Sequence, residues 1–598
     1  MRAPVLRDTV PGLPEVPVRF GFAFSADGRW ATCLNAAGDR VALERWSLDG
    51  AVPARRVVGA ADRDSRPLPL NDGRVLVART APGGGHGSVV ALPDGTRTWP
   101  VSAMLAGYLL ASPGSPQTVV LVTVEDERHS RIWALSDASL EPVLRIPGVL
   151  SGGVWLDEGN LLAFDHAGLE HRADGIVVDL RERTWRRVWS VSDTTTDRIA
   201  ACSRRARVLA VTTGVPGGQR IGLWSPGGGP VRFPEALNRS GFARTPLTFD
   251  ESGEHLLVSE VCGATTRLLV HTPAGDRVEP VAGPPGTLWP PASWTGERIH
   301  VRFSAPHQPP TLATVHRRAR SGWSLARQAP DPMTAWADAD LVELPGPDGP
   351  IEAIVYGGPR WRECPRVVLA LHGGPLAAWR FEFEPLFQHL ALAGVAVVAP
   401  NYRGSTGYGE QHMRAVVGDW GGPDLADVVH LGRAVAGPRR EAGLPGPLLL
   451  GGSYGGYLAL LAACRSPRTW SGCVALAPFT SPAGLHRDAD APVRDRVARL
   501  NGPGDDERRD VLRECAALTA PLLLAHGTRD ELIPVAQSRA LRKRLLELGR
   551  TEGIDFDYLE VDDGHTAVVQ AWPSDLRTNL VRFCLAAERI AATGQERR

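Results

Sequence analysis

The sequence predicts two domains of different classes, an N-terminal all-β propeller and a C-terminal α/β domain with a mostly parallel, doubly covered sheet. Three observations support this prediction. The chain has 598 residues, which is too long for a single core. Its first part repeats a turn–strand pattern, whereas its second part alternates apolar runs with helical stretches. We expect the propeller in residues 1–330, after a short extension over 1–19, and the α/β domain in residues 331–598.

The propeller prediction rests on a weak pattern in which a turn rich in Asp, Gly or Ser precedes an apolar strand. It occurs at Ser25, Leu70, Ser112, Trp155, Ser203, Phe249 and Trp294. A period of about 40–50 residues with several strands in each repeat is typical of a β-propeller. A four-stranded blade buries its faces only against its neighbours, so we expect a closed ring of about seven blades. A pair of β-sandwiches or a solenoid is the alternative.

The α/β prediction rests on apolar runs that alternate with helical stretches after a Pro-rich junction. A strand, a turn and a strand begin at Ala339, further strands begin at Arg366, Val395, Pro447, Gly472, Pro521 and Phe556, and helices begin at Phe383, Asp424, Gly455, Ala536 and Leu576. Continuous apolar strands alternating with helices indicate a parallel sheet that is covered on both faces.

The composition excludes several functional classes. Positive and negative residues balance at 66 each, so neither a nucleic-acid-binding surface nor an acidic tail is predicted. We find no apolar stretch of about 18 residues and no apolar segment near the N-terminus, and therefore expect neither a transmembrane helix nor a signal peptide. The eight cysteines are scattered, which is typical of free thiols in a cytoplasmic protein. We expect no metal, cofactor or membrane partner, and the sequence leaves a homo-oligomer open.

The stretch Gly451-x-Ser453-x-Gly455 lies between a predicted buried strand and a predicted helix. Such a sharp turn strains the serine backbone and raises its hydroxyl at the carboxyl end of the sheet. The amide of Tyr454 then points to the place where an oxyanion would form. A Gly-rich turn that merely contains a serine is the alternative. The flanking strand and helix favour the nucleophile turn of an α/β-hydrolase.

A serine nucleophile needs a base, and the base needs a carboxylate that orients it. In this fold the chain order is serine, acid, histidine. Asp530 directly follows one buried strand and His565 follows the last strand, so we expect both on loops at the edge of the sheet that holds Ser453. Asp562 and Asp563 are the competing acids, and we expect them to shape the histidine loop.

The competing histidines are His526, expected to pack or support its turn, and His372. A second oxyanion donor is expected from the loop Leu369–Pro375, where Gly373 has no side chain to obstruct a substrate carbonyl, and Gly374 is the alternative. His372 either lines the site or caps this turn. In the loop Asn401–His412, Tyr402 or Arg403 either contacts the substrate or belongs to a loop that braces the nucleophile turn.

The segments HGGP, NYRGSTGYG, GGSYGGY, HGTRDELIP and DDGHT together resemble the prolyl oligopeptidase superfamily of serine peptidases, and acylaminoacyl-peptidase-like members in particular. These motifs occupy the last 250 residues. The resemblance implies that Ser453 is the nucleophile, Asp530 the orienting acid and His565 the general base. It also implies an oxyanion hole at Tyr454 and Gly373, and a propeller that excludes large folded proteins. Substrates would then be short peptides or acylated amino acids.

Dipeptidyl-peptidase members of this superfamily hold the substrate amino terminus with two propeller glutamates. Glu125 and Glu127 resemble such a pair, although acidic residues at a turn are usually only solvated. Two alternative functions remain at this point. The first is an esterase or a pathway-specific tailoring hydrolase that acts on a peptide-like metabolite. The second is an interaction platform with a degenerate hydrolase domain, which would predict a broken triad.

Overall fold

The computed structural model describes residues 16, 18–37, 40–50, 52–81, 85–92, 97–102, 104–114, 118–136, 139–168, 173–192, 195–215, 218–226, 229–239, 243–317, 322–326, 335–502 and 509–596. The described residues of 18–305 and 309–326 form one compact unit, and those of 306–308 and 335–596 belong to a second. The predicted boundary at residue 330 and most of the predicted extension 1–19 lie outside the described residues.

The first unit is a seven-bladed β-propeller, as predicted, with one antiparallel sheet in each blade. Blades 1–3 contain β1 (Val18–Phe24), β2 (Trp30–Ala37), β3 (Arg40–Ser47), β4 (Ala54–Ala60), β5 (Arg66–Pro69), β6 (Val75–Thr80), β7 (His86–Leu92), β8 (Thr98–Ser102), β9 (Ala106–Ala111), β10 (Val119–Asp126), β11 (His129–Leu135) and β12 (Leu140–Pro147). Blades 4–7 contain β13 (Val149–Trp155), β14 (Leu161–Ala167), β15 (Ala173–Asp179), β16 (Thr184–Trp189), β17 (Thr196–Ser203), β18 (Val208–Val215), β19 (Gly218–Trp224), β20 (Ala243–Phe249), β21 (Leu256–Cys262), β22 (Thr265–Thr272), β23 (Arg277–Val281), β24 (Thr287–Thr295), β25 (Arg298–Ala305), β26 (Gln308–His316) and β27 (Trp323–Leu325).

All seven occurrences of the sequence pattern lie at the same place, the hairpin that joins the first two strands of a blade. The first strands of neighbouring blades contact each other, for example β13 with β17, and β1 of blade 1 contacts β24 of blade 7. Trp46 and Leu312 pack in one apolar cluster across that junction. The ring is therefore closed by side-chain packing between its first and last blades.

The second unit has the predicted α/β-hydrolase architecture. Its eight strands are β28 (Ala339–Gly346), β29 (Gly349–Tyr356), β30 (Arg366–Leu371), β31 (Val395–Pro400), β32 (Leu448–Gly452), β33 (Gly472–Leu476), β34 (Leu522–Gly527) and β35 (Phe556–Val561). They form one sheet in the order β28-β29-β31-β30-β32-β33-β34-β35. The pairs from β31 to β35 are parallel, whereas β28 and β29 pair in antiparallel fashion.

The described helices of this unit cover the sheet. They are α1 (Pro385–Leu392), α2 (Glu410–Arg414), α3 (Pro423–Glu441), α4 (Tyr454–Arg465), α5 (Pro482–Asp488), α6 (Ala491–Arg499), α7 (Val511–Glu514), α8 (Ala536–Glu547), α9 (His565–Val569) and α10 (Ser574–Glu596). Helix α4 is buried along almost its whole length against β30, β32 and β33. This packing fixes the first turn of α4, which directly follows the candidate nucleophile.

Two further sequence expectations concern features of the whole chain. The eight cysteines are all free thiols, and five of them are buried. Within the described part of the chain, every helix is too short or too polar to cross a lipid bilayer.

Candidate active site

Ser453 connects β32 to α4 in a strained conformation, with φ 57° and ψ −123°. Non-glycine residues adopt such angles only where the surrounding structure imposes them. Two backbone bonds impose them here: the Ser453 amide donates to Leu476 O at 2.8 Å, and the Tyr457 amide donates to Ser453 O at 3.1 Å. The turn therefore places the serine side chain at the carboxyl end of the parallel strands, as the sequence predicts.

The glycines on either side are required by contacts between backbone segments. A Cβ atom on Gly451 would lie 2.1 Å from Gly455 O, and one on Gly455 would lie 2.3 Å from Leu371 O. Neither distance is compatible with a side chain. The two glycines thus allow α4 to approach the ends of β30 and β32 closely enough to form the turn.

Replacing Gly455 with alanine is expected to lower the free energy of unfolding by about 3 kcal/mol, the upper part of the range for overpacking, because backbone cannot move aside as a side chain does. Denaturant unfolding measures this. Gly373→Ala is the matched control, since its Cβ would have only ordinary contacts at 3.6 Å with Ser453 Cβ and Gly452 O. Equal losses of stability in the two variants would contradict the close-approach argument.

Asp530 and His565 are joined directly. His565 Nδ1 lies 2.7 Å from Asp530 Oδ2, and the Asp530 carboxylate is fully buried. Its other oxygen, Oδ1, accepts the amides of Leu532 at 2.9 Å and Ile533 at 2.7 Å. Burial opposes ionisation, but the hydrogen bonds from His526 and His565 outweigh it and hold the Asp530 pKa well below its usual range. The carboxyl is therefore ionised at neutral pH.

The competing acids contact other groups. Asp562 is largely exposed and pairs with Arg529 at 3.1 Å, and Asp563 accepts the Gly564 amide at 2.8 Å. Both therefore shape the loop that precedes His565, in line with the expectation from their spacing.

His526 lies next to Asp530 and is fully buried. Its Nδ1 is 2.7 Å from Ser538 Oγ, and its Nε2 is 2.9 Å from Ile533 O and 3.4 Å from Asp530 Oδ2. A carbonyl oxygen only accepts, so Nε2 carries a proton and donates it to Ile533 O. His526 thus supports the Asp530 loop.

The structure differs from the expectation that His565 lies on a loop, because it is the first residue of α9. A Cβ atom on Gly452 would lie 2.6 Å from Val569 Cγ1, so α9 packs directly against the residue that precedes Ser453. His565 and Val569 are four residues apart and share one face of the helix. Within residues 335–502 and 509–596 the Ser453 hydroxyl has no hydrogen-bond partner.

The loop that follows β30 is held in place by Tyr402 and His372, both of which were predicted as possible substrate contacts. Tyr402 is buried, donates its hydroxyl to His372 O at 2.7 Å and stacks on the His372 ring at 4.2 Å. His372 Nε2 lies 2.7 Å from Ser405 Oγ. Burial lowers the His372 pKa to about 4, so the ring is neutral. These contacts favour turn-capping and bracing for both residues.

The same contacts orient the Gly373 amide. In a trans peptide the N–H points opposite to the preceding carbonyl, which is His372 O and is held by Tyr402. The amide of Tyr454 is among the first of α4, where helical amides have no partner within the helix. These two amides remain our predicted oxyanion donors.

Arg403, the other predicted contact in this loop, forms an ion pair with buried Asp427, with Nη2 2.6 Å from Oδ1. A second ion pair joins it to Asp348. The guanidinium is therefore committed to holding the loop to α3, which again favours bracing over substrate contact.

Neither of the two propeller glutamates has the surroundings of a substrate-binding site. Glu125 forms ion pairs with Arg131 and, at 2.8 Å, with Arg145, while Glu127 is exposed at the turn between β10 and β11. A carboxylate neutralised by two guanidinium groups is a poor site for a substrate ammonium group. These contacts favour the alternative that the acidic turn has no substrate role.

The sequence analysis missed Asp424, at the start of α3. Its buried carboxyl accepts the hydroxyl of Tyr454, and its burial, only partly offset by that hydrogen bond, raises its pKa to about 6. The Tyr454 ring also packs edge-on against Trp420 at 5.5 Å. Asp424 therefore anchors the side chain of the residue whose amide is a predicted oxyanion donor.

Comparison with known proteins finds a family match and similar sequences for part of this chain. Residues 379–577 match the prolyl oligopeptidase family. The acylamino-acid-releasing enzyme of Sus scrofa is 28% identical over 297 residues, which cover 45% of this chain and 40% of that enzyme. The uncharacterized peptidase YuxL of Bacillus subtilis (strain 168) is 29% identical over 239 residues, 39% of this chain and 32% of that protein. The matches therefore span well under half of these relatives.

Solved structures share the whole architecture at low sequence identity. The acylaminoacyl peptidase of Pyrococcus horikoshii has a TM-score of 0.74 at 13% identity, covering 96% of this chain and 98% of that one. A puromycin-hydrolyzing peptidase of Mycobacterium tuberculosis has a TM-score of 0.69 at 18% identity, covering 94% and 93%. These likenesses establish the fold, a propeller with an α/β-hydrolase unit.

Proposed function

We propose that this chain, whose residues 379–577 are a prolyl oligopeptidase family domain, is a serine peptidase acting through Ser453, His565 and Asp530. The observation that carries the proposal is the 2.7 Å contact between His565 Nδ1 and the buried Asp530 carboxylate. It lies at the same edge of the sheet as the strained serine turn. A histidine oriented by a buried carboxylate is the general base that a serine nucleophile requires in α/β-hydrolases.

The chemistry follows from the hydrogen bonds. Asp530 accepts the proton on His565 Nδ1, which leaves the Nε2 lone pair to remove the Ser453 proton as Oγ attacks the substrate carbonyl carbon. The amides of Tyr454 and Gly373 stabilise the oxyanion. His565 then gives its proton to the leaving nitrogen, the C–N bond breaks, and an acyl-enzyme remains. Water, deprotonated by the same histidine, attacks the ester and releases the acid.

We propose short peptides and acylated amino acids as the substrate class. The relatives named acylamino-acid-releasing enzyme and the structural neighbour named acylaminoacyl peptidase support this choice. Glu125, the carboxylate that would be expected to hold a free amino terminus, already pairs with Arg131 and Arg145, which favours acylated over free amino termini.

A fluorophosphonate probe tests the proposal, because an activated serine displaces its fluoride and becomes phosphonylated. We expect one adduct, on the Ser453 peptide by mass spectrometry, in native protein and none after denaturation. No adduct, or an adduct on another serine, would contradict the assignment. Acetylated peptides and simple esters, compared as substrates, then separate a peptidase from an esterase.

A further inference from the structure

A cavity of about 230 Å³ lies within the second unit, beside the loop that follows β30. Its walls are mainly apolar and aromatic, with Tyr356, Trp379, Phe387 and Leu450 among them. The polar atoms of the two polar rings are already used: the Trp379 indole donates to Ala370 O at 2.9 Å, and the Tyr356 hydroxyl donates to a backbone carbonyl. The polar character of the cavity therefore comes from other residues.

Glu384, which precedes α1, supplies a carboxyl group to this cavity without a cationic partner. Within the described part of the second unit, no side chain donates a hydrogen bond to it or forms an ion pair with it, and its one polar contact is the Leu386 amide. The Glu382 carboxylate lies nearby and also lines the cavity. Arg380 also lines the cavity, but its Nη2 donates to Thr406 Oγ1 at 2.7 Å and its guanidinium interacts with the Glu382 carboxylate rather than with Glu384. A mainly apolar chamber in which the Glu384 carboxyl has no cationic partner favours a ligand that brings a positive charge.

The position of the cavity relates it to the candidate active site. His372, Gly373 and Gly452 line it, and a Cβ atom on Gly373 would be 3.6 Å from Ser453 Cβ. Val569, in the helix that begins with His565, lines it too. In the proposed reaction His565 protonates the leaving group, so the leaving group lies on the side of Ser453 that faces α9.

We propose that this cavity binds the side chain of the substrate residue that follows the scissile bond, and that Glu384 selects a side chain ending in an ammonium group. This inference rests on the proposed function, because it takes the leaving-group side from the triad. The cavity is smaller than sites for drug-sized ligands, which suits one side chain. The aromatic walls are also favourable surfaces for a cation and its methylene stem.

The ionisation of Glu384 makes the affinity of the cavity for a cation depend on pH. Burial, followed by the neighbouring Glu382 carboxylate, raises the Glu384 pKa to about 8, so the empty cavity holds mostly the neutral acid at pH 7. A cation binds the ionised form, so its affinity rises as the pH rises towards 8 and then levels off. The other titratable side chains on the cavity wall do not change charge in this interval. His372, whose pKa burial lowers to about 4, and Tyr356, whose pKa burial raises, stay neutral. Burial lowers the pKa of Arg380, but a guanidinium stays protonated at these pH values.

Binding of two dipeptide amides to the inactive Ser453→Ala protein tests the inference. N-acetyl-alanyl-lysinamide and N-acetyl-alanyl-norleucinamide differ in the terminal ammonium group of one side chain. We expect the lysine peptide to have a Kd at least tenfold lower at pH 8.5, and this ratio to shrink at pH 6.5. Adding Glu384→Gln, which mimics the neutral acid without changing its shape, should reduce the ratio at pH 8.5 to below twofold.

Glu441→Gln, an exposed replacement at the end of α3, is the matched control and should keep the full ratio. Equal Kd values for the two peptides, or a ratio that survives Glu384→Gln, would overturn the inference. Because the measurement needs no turnover, the two proposals fail separately. If the probe labels Ser453 but the two peptides bind equally, only this inference fails. If the peptides show the ratio but the probe does not label Ser453, only the proposed hydrolysis fails.

Discussion

Ser453→Ala is expected to lower kcat by about 10⁶-fold, the loss observed when the nucleophile of a serine protease triad is removed. The fold should persist, because the Ser453 hydroxyl has no hydrogen-bond partner within residues 335–502 and 509–596, so its removal breaks no bond. Alanine also has the same backbone restriction as serine at φ 57°. Rates on an acetylated peptide and denaturant unfolding of both proteins measure the two effects.

Ser471→Ala provides the comparison within the same unit. Ser471 donates its hydroxyl to Gly446 O at 2.8 Å and directly precedes β33, at the opposite end of the parallel strands from Ser453. Its loss should cost about 1 kcal/mol of stability and leave kcat within a factor of two. Residual activity of more than one part in a thousand in pure Ser453→Ala protein would exclude Ser453 as the nucleophile.

Sequence reasoning predicted the parts of this fold that depend on long apolar patterns. The strands β30 to β35 and the helices α1, α3, α4, α8 and α10 all begin within two residues of the predicted positions. The hairpins of the propeller were visible because each blade repeats the same turn chemistry. These elements bury continuous apolar faces, and burial leaves a periodic signal in the sequence.

The elements that sequence reasoning missed are short and depend on tertiary contacts. Helices α5, α6, α7 and α9 have nine residues or fewer, a length at which a helix is unstable without packing from its surroundings. Helix α9 shows the consequence for the site. The sequence predicts that His565 lies on a loop. In the structure it begins this helix, and Val569, four residues later, packs against the nucleophile turn.

At the candidate site, the positions of residues that follow from the course of the backbone could be predicted. The roles of residues that depend only on side-chain contacts could not. The positions of Ser453, Asp530 and His565 follow from strand ends and chain order. The roles of Tyr402 and Arg403 depend on partners far away in the chain, such as Asp427. Asp424 had no local signal at all, since its function is visible only once Tyr454 reaches it.

Asp530→Asn is expected to lower kcat by about 10⁴-fold, and the surrounding hydrogen bonds explain why. The amides of Leu532 and Ile533 donate to Oδ1, so an asparagine must place its carbonyl oxygen there and direct its NH₂ group towards His565. The NH₂ group can only donate, so His565 Nδ1 must accept and Nε2 must carry the proton. The imidazole is then the wrong tautomer to take a proton from Ser453.

Asp562→Asn distinguishes this explanation from a general effect of charge near the histidine. Asp562 is only three residues from His565 but is largely exposed and pairs with Arg529, so its replacement should leave kcat within about twofold. Steady-state rates of both variants at neutral pH make the comparison, with unfolding curves to show that each is folded. If Asp562→Asn lost as much activity as Asp530→Asn, the orienting carboxylate would have to be reassigned to Asp562. If neither variant lost activity, His565 would work without a carboxylate, and the proposed triad would reduce to a serine–histidine pair.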